Sequence, residues 1–246
     1  MYTIIYVDST PSTNSLLSAS ARHLEHGTVI AARTQTCGRG QRGNSWEADS
    51  NQNLTFSVLL KPKTIVASRQ FELSQLVSLS VVAVLREQLG SDEVRVKWPN
   101  DIYYRDSKIC GILIENSLQG VYIDQSVVGI GINVNQAEFV SGAPNPVSMR
   151  NISGRSYELD SLLEAFTCRI LDDFDAYEQN PNPTTLAAKY RTMMWRNEGF
   201  WPYHDNLRGV DMKARVAAVA PTGHLTLSTE DGCFHTYAFK EVAFVL

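Results

Sequence analysis

The string Gly38-Arg39-Gly40-Gln41-Arg42-Gly43 is where this sequence first offers chemistry. Glycines let backbone N–H groups approach an anion, and arginines neutralise it through paired hydrogen bonds, so the loop suits a phosphate or a carboxylate. Its spacing is not the GxxxxGK[ST] of a phosphate-binding P-loop, and the third glycine of a dinucleotide fingerprint is missing. Alone, the string reads more readily as a mobile surface loop with two solvated arginines, so its neighbours must decide.

Those neighbours include KWPNDIYY at Lys97 to Tyr104, where a strand ends in a cation, an aromatic ring, a proline and a carboxylate. Lys97 suits a phosphate, and Asp101 suits a metal ion or a cationic neighbour. The plainer reading is a strand end followed by an Asn-Asp turn, with Trp98 in the core. Lys108 then opens the strand that continues ICGILIE. A lysine held on a strand is rigidly placed to stabilise a developing anion, although an edge lysine that merely snorkels would read the same way. Gly111 removes a side chain where a ligand could lie against the backbone.

Taken with STN at Ser12–Asn14 and GIGINVN at Gly129–Asn135, these blocks follow the pattern GRGxxGxxW, KWPND, KxxGIL, GIGINVN across roughly the first 140 residues. In that order and spacing the chain resembles the biotin protein ligase family. The resemblance implies that Ser12, Thr13, Asn14 and Gln35 hold the ureido ring and adjoining parts of biotin, with Gly111 also at the biotin site. Gly38, Arg39 and Gly40 match the loop that closes over the biotin carboxylate and the activated intermediate. Trp46 matches a tryptophan near the adenine, Lys97 and Asp101 the nucleotide and metal region, and Asn133 an asparagine of the ATP site, to which Arg42 is added. Lys108 matches the lysine that touches both the biotin carboxylate and the α-phosphate, so Lys108 and Arg39 are the expected catalytic residues. Substrates would be ATP and biotin with Mg²⁺, and the partner a biotin carboxyl carrier protein or domain of an acyl-CoA carboxylase.

This chemistry suits the residues. Two anions, a carboxylate and a triphosphate, must be brought together, and cations at Arg39 and Lys108 offset their repulsion. The acyl-adenylate that results hydrolyses easily, so a closing glycine-rich loop protects it until a lysine attacks. Cys37 and Cys110 are then bystanders. Gln41 and Asn44 stand where many family members have further arginines, which shifts the retention of the intermediate toward Arg39 and Arg42. The STN block begins at Ser12, so neither the winged-helix domain of some members nor a DNA partner is expected. A lipoate or octanoate ligase of the same superfamily would carry an RRxSGGG-type block, which is not found, and a non-catalytic biotin-sensing module would lack the nucleotide residues.

The elements that must hold these groups can be read from periodicity. Strands are expected at Tyr2–Val7, Thr28–Thr34, Leu54–Leu60, Val94–Trp98, Lys108–Asn116 and Val127–Val134, with a turn at Gln119-Gly120. A helix capped by Ser12 or Thr13 is expected to run through Leu24 to Gly27, a second from Phe71 to Leu89 stopped by Gly90, a third from Ser161 to Tyr177 capped by Asp160, and a fourth from Thr184 to Trp195. After Gly199, alternating segments separated by PTG and EDG turns predict a small antiparallel barrel of about five strands. The implied fold is α+β: a central mixed β-sheet flanked by helices, of the class II aminoacyl-tRNA synthetase and biotin ligase type, in residues 1–198, with a small SH3-like β-barrel in residues 199–246.

The 246 residues are 43% hydrophobic and 20% charged, the balance of an ordinary globular protein. A formal charge of -4 and a pI near 5.7 give no general attraction to nucleic acid. Four scattered cysteines, Cys37, Cys110, Cys168 and Cys233, lack zinc-site spacing and read as reduced thiols in the cytoplasm. No window is apolar enough to cross a membrane. A homodimer formed across the sheet edge and a monomer would leave the same pattern.

Overall fold

Apolar residues at a period of two build a seven-stranded sheet in the computed structural model, which describes residues 2–41, 45–140 and 145–245. Its strands are β1 (Thr3–Thr10), β2 (Thr28–Gln35), β3 (Leu54–Leu60), β4 (Val94–Lys97), β5 (Asp101–Tyr104), β6 (Ser107–Gln119) and β7 (Tyr122–Ile132). Their spatial order is β1-β2-β3-β7-β6-β5-β4. β1 and β2 run parallel and the remaining neighbours antiparallel.

The helices are α1 (Thr13–Ser20), α2 (Phe71–Leu89), α3 (Met149–Ser153), α4 (Leu159–Gln179) and α5 (Pro183–Met193). On α2 the predicted stripe, including Leu73, Val77, Val81 and Leu85, is buried, and each such side chain contributes about 1.5–3 kcal/mol of apolar burial. Gly90 ends the helix in the left-handed conformation, φ 59°, and its N–H closes on the carbonyls of Arg86 and Glu87. Val29, Ala31, Phe56, Val58, Val128 and Ile130 belong to the same core as α2 and α4. Ile30, Leu59 and Val127, the alternate residues, face the other way and pack with Leu17 and Ala21 of α1 and its continuation.

Several expectations are corrected. The first helix stops at Ser20, and after a single 3-10 turn at Ala21–His23 the backbone of Leu24 is extended, which lets Leu24 pack beside Leu17. The cap of α4 is Glu158, whose carboxylate accepts from the Ser161 N–H, and Asp160 lies inside the helix. Asn182 caps α5, which begins at Pro183. The Asn-Asp turn is a turn over residues 98–100, and Asp101 instead opens β5, opposite Lys97. That hairpin buries Val96 and Ile102 together in the core.

The C-terminal strands β8 (Trp201–Asp205), β9 (Val210–Val219), β10 (Leu225–Thr229), β11 (Phe234–Tyr237) and β12 (Val242–Phe244) form an antiparallel sheet in the order β11-β10-β9-β8-β12. It is not the closed barrel expected: among the described residues β11 and β12 do not pair, and at four and three residues they offer little ladder for closure. The sheet is fastened to the rest through Trp98, 3% exposed, whose indole N–H donates to the Gly223 carbonyl at 2.9 Å. Phe239 packs on Trp98 and Phe71, with ring centroids 5.4 and 6.2 Å away. Among the described residues no helix is long and apolar enough to cross a membrane.

Candidate functional site

One face of β3, β7 and β6 changes character along its length. Under α1 it is apolar, with Leu59 opposite Val127. Two residues further along, Ser57 lies opposite Gly129, and then Thr55 opposite Gly131, with Gly111 of β6 completing the row. Side chains disappear where α1 ends, and this opens a cleft of about 770 Å³ lined by both the main sheet and the C-terminal sheet. The glycines are required by what lies against them. A Cβ at Gly129 would collide with the Asn14 amide, and one at Gly131 with the Trp46 ring.

The N-terminal end of α1 forms one side of the cleft. Ser12 caps the helix by accepting from the Ser15 N–H, and Ser12, Thr13 and Asn14 are all buried. The Gln35 Oε1 accepts from the Thr13 N–H at 2.9 Å. The Asn14 amide donates to the Leu113 carbonyl at 3.2 Å and to Glu115 at 2.9 Å.

The residues that flank the glycine-arginine loop, Gly38-Arg39 and Ser45-Trp46, pair as the arms of a narrow hairpin. Arg39 bridges Ser45, and the Trp46 N–H donates to the Gly38 carbonyl at 3.0 Å. Gly38 sits at its base, where any Cβ would strike the Trp46 carbonyl. This hairpin lays the Trp46 indole over Gly131 and Gly111 and brings the Arg39 guanidinium to 2.7 Å from the Glu115 carboxylate. Gly40 and Gln41 also line the cleft, whereas Arg42 and Asn44 lie outside the described residues.

Opposite the hairpin stand the lysines. Lys108 Nζ lies 2.6 Å from the Asp101 carboxylate and 5.5 Å from the Trp46 ring. Lys97 donates to the Tyr103 hydroxyl at 2.9 Å and lies over the Tyr103 and Phe244 rings. Burial pulls the Lys97 pKa below the ordinary lysine value of 10.5; Lys108 and Arg196 add to that and Asp101 opposes it. Burial likewise raises the Tyr103 pKa, so its phenol stays neutral and accepts. Asn133 is buried, and its amide donates to the Lys108 and Val147 carbonyls, fixing the backbone that carries Lys108.

The structure thus gathers Ser12, Thr13, Asn14, Gln35, Arg39, Gly40, Trp46, Lys97, Asp101, Lys108, Gly111 and Asn133 around one cleft, though the sequence spreads them over more than a hundred positions. Sequence reasoning passed over Glu115 and Ser57. A carboxylate directly ending the apolar run Ile109 to Ile114, in the middle of a strand, was a usable signal for Glu115. Sequence reasoning also passed over Phe239–Phe244, five of whose six residues, Phe239, Lys240, Val242, Ala243 and Phe244, complete the cleft from the C-terminal segment. Cys37 is exposed and Cys110 is buried, its thiol pushed far up by burial, and neither lines the cleft.

Residues 5–133 match the biotin/lipoate A/B protein ligase family. The bifunctional ligase/repressor BirA of Escherichia coli is 38% identical over 123 residues, which is 50% of this chain and 38% of that protein. The chain therefore spans well under half the length of that relative. The biotin–[acetyl-CoA-carboxylase] ligase of Mycobacterium tuberculosis is 32% identical over 194 residues, 75% of this chain and 68% of that one. In fold, the chain is similar to the biotin protein ligase of Aquifex aeolicus solved in complex with biotin and ATP, with a TM-score of 0.80 and 24% identity over 100% of this chain and 99% of that one. With its family match covering half its length and its sequence blocks meeting in one cleft, the chain belongs to the biotin/lipoate A/B protein ligase family.

Proposed function

We propose that this protein is an ATP-dependent biotin protein ligase that forms biotinyl-5'-AMP and passes biotin to a lysine of a biotin carboxyl carrier domain. One observation carries the reading: three cations, Arg39, Lys97 and Lys108, line a single cleft together with the Trp46 indole and the Asn14 amide, which lie directly on glycine backbone. A ring system with polar edges suits the Trp46 and Asn14 side of the cleft, and two anions that must meet suit the cations.

In this reading the ureido end of biotin lies beside Ser12, Thr13, Asn14 and Gln35, its chain crosses the Gly111 strand, and its carboxylate reaches Lys108. A carboxylate oxygen attacks the α-phosphorus, the bond to the bridging oxygen breaks, and pyrophosphate leaves. Lys108, drawn from Asp101, would neutralise both reacting groups, with Lys97 along the phosphates and Trp46 and Asn133 on the nucleotide side. Arg39 and Arg42 of the loop would hold the mixed anhydride away from water. The carrier amine then attacks the acyl carbon, AMP leaves with the bonding electrons, and the amine sheds a proton.

Among the described residues no three metal-binding side chains cluster, and Asp101 supplies a single carboxylate beside the lysines. That donor set fits Mg²⁺ arriving on ATP, an ion that takes one or two carboxylates plus phosphates. When bound it would screen the charge of the departing pyrophosphate. We read residues 1–198 as the catalytic domain, residues 199–246 as a small antiparallel-sheet domain that covers the nucleotide, and the cytoplasm as a setting that suits four free cysteines.

The test is incubation with ATP, Mg²⁺ and a carrier domain, with either biotin or lipoate, read by mass. A biotin-sized shift on the carrier is expected. A lipoyl shift would make the protein a lipoate ligase, and no shift with either acid would leave a non-catalytic module.

A further inference from the structure

A carboxylate with no part in the reaction just described connects the two sides of the cleft. Glu115 lies on β6, on the same face as Gly111 and Leu113, and one of its oxygens serves both Arg39 Nη2 at 2.7 Å and Asn14 Nδ2 at 2.9 Å. The Asn14 amide has no choice of orientation. Its two other neighbours along this line, the Glu115 carboxylate and the Leu113 carbonyl, can only accept, so the NH₂ group must face them. Asn14 Oδ1 therefore faces the opposite way, where the Ser57 hydroxyl lies at 2.7 Å and must donate to it.

Ser57 has a single proton, and once that is given to Asn14, its oxygen is left to accept from Thr13 Oγ1 at 2.8 Å, a closer acceptor for the Thr13 proton than Gln35 Oε1 at 3.3 Å. The Thr13 hydroxyl, its proton turned toward Ser57, presents lone pairs to the cleft. With Asn14 3% and Ser57 0% exposed, water cannot easily reverse this order. At the other end, the same carboxylate holds the Arg39 guanidinium against the sheet, and so sets the position of the hairpin that carries Trp46.

We infer that Glu115 is a positioning residue: its charge sets the direction of the hydrogen-bond chain Glu115–Asn14–Ser57–Thr13, making Thr13 an acceptor for the N–H groups of a cyclic urea, and anchors Arg39 at the cleft. The inference rests on the cleft being a biotin site, and it adds a residue that touches neither substrate. In Glu115→Gln one end of the side chain becomes a donor. Turned one way, that amide aims its donor at both Arg39 and Asn14; turned the other, it keeps an oxygen there but not the charge that holds Arg39, so the direction is no longer fixed.

The experiment compares the wild-type chain with Glu115→Gln, Ser57→Ala and the double variant, with melting temperatures taken first. Biotin binding is measured by calorimetry, steady-state kinetics by carrier labelling, and trypsin cleavage after Arg39 in the ligand-free protein by mass. Glu115→Gln should weaken biotin about tenfold, through KM more than kcat, and speed cleavage after Arg39 several-fold. Ser57→Ala should weaken biotin alone, with cleavage unchanged, and the double variant should bind biotin no worse than Glu115→Gln, because both break one chain. Additive losses, or a Glu115→Gln protein with wild-type binding and cleavage, would overturn the inference. Should Glu115→Gln lower the melting temperature, Ser57→Ala reads the same chain from its other end. A wild-type protein that binds no biotin would sink the functional reading instead, while the cleavage comparison would still decide whether Glu115 anchors Arg39.

Discussion

On the floor of the cleft Gly111, Gly129 and Gly131 bring bare backbone against Asn14 and Trp46, whereas the C-terminal wall offers side chains, Phe239, Val242 and Phe244. The floor depends on the absence of atoms at particular positions, and any Cβ there meets a ring or an amide. The wall depends on apolar bulk, which several residue types can supply equally well. A contact made by backbone therefore writes a glycine into the sequence at a fixed place, while a contact made by packing leaves only an ordinary hydrophobic residue.

Lys108 belongs to neither region and stands between Trp46 and the Asp101 carboxylate. Its removal should therefore break the comparison most severely. Lys108→Ala is expected to lower carrier labelling about 10²–10³-fold, the scale seen when a single group that stabilises a developing charge is lost. Near-normal turnover would take Lys108 out of the chemistry.

The two regions should then fail differently. Gly131→Ala must push Trp46 from the floor, at about 1–3 kcal/mol, so biotin-dependent release of pyrophosphate is expected to fall at least tenfold. Phe239→Ala opens the packing on Trp98 and Phe71. For a half-buried ring a cost of about 1–2 kcal/mol is expected, which lowers the melting temperature by roughly 2–8 °C and raises the KM for ATP several-fold with biotin affinity unchanged. If both variants lost biotin affinity equally, floor and wall would be one site for one ligand.

The same contrast explains what could be read from the sequence. β3 and α2 were legible to the residue, because Leu54–Leu60 and Phe71–Leu89 carry clean periods and α2 ends in a glycine. β5 was not, since four residues directly after Trp98-Pro99-Asn100 look like a turn and become a strand only by pairing with β4 and β6. The floor could be anticipated from Gly111 and GIGINVN, and the cations from KWPND and Lys108. The pairing of Arg39 with Glu115 spans 76 positions and that of Trp98 with Gly223 spans 125; neither leaves a local pattern. The missing closure of the C-terminal sheet was equally silent, because alternation specifies strands and not which edges meet.

The smallest expected effect tests the boundary between floor and wall, where Lys97 of β4 lies over the Phe244 ring of β12. Burial is the largest reason its ammonium loses its proton more readily than an exposed lysine, and Tyr103, held neutral, compensates with one accepted hydrogen bond. A phosphate brought beside Lys97 favours the charged form, so ATP binding should take up a proton once the pH exceeds the pKa of the free protein. ATP affinity must then fall as the pH rises, beginning below 10.5 and by no more than about tenfold per pH unit for one group. Lys97→Arg keeps its charge throughout this range, and calorimetric titration of ATP between about pH 7 and pH 10 should show a flatter profile than the wild type. Parallel profiles for the two proteins would mean that Lys97 does not face phosphate. Its burial against Tyr103 and Phe244 would then serve only to hold β4 to the C-terminal sheet, and the cation that meets the phosphates would have to be sought elsewhere.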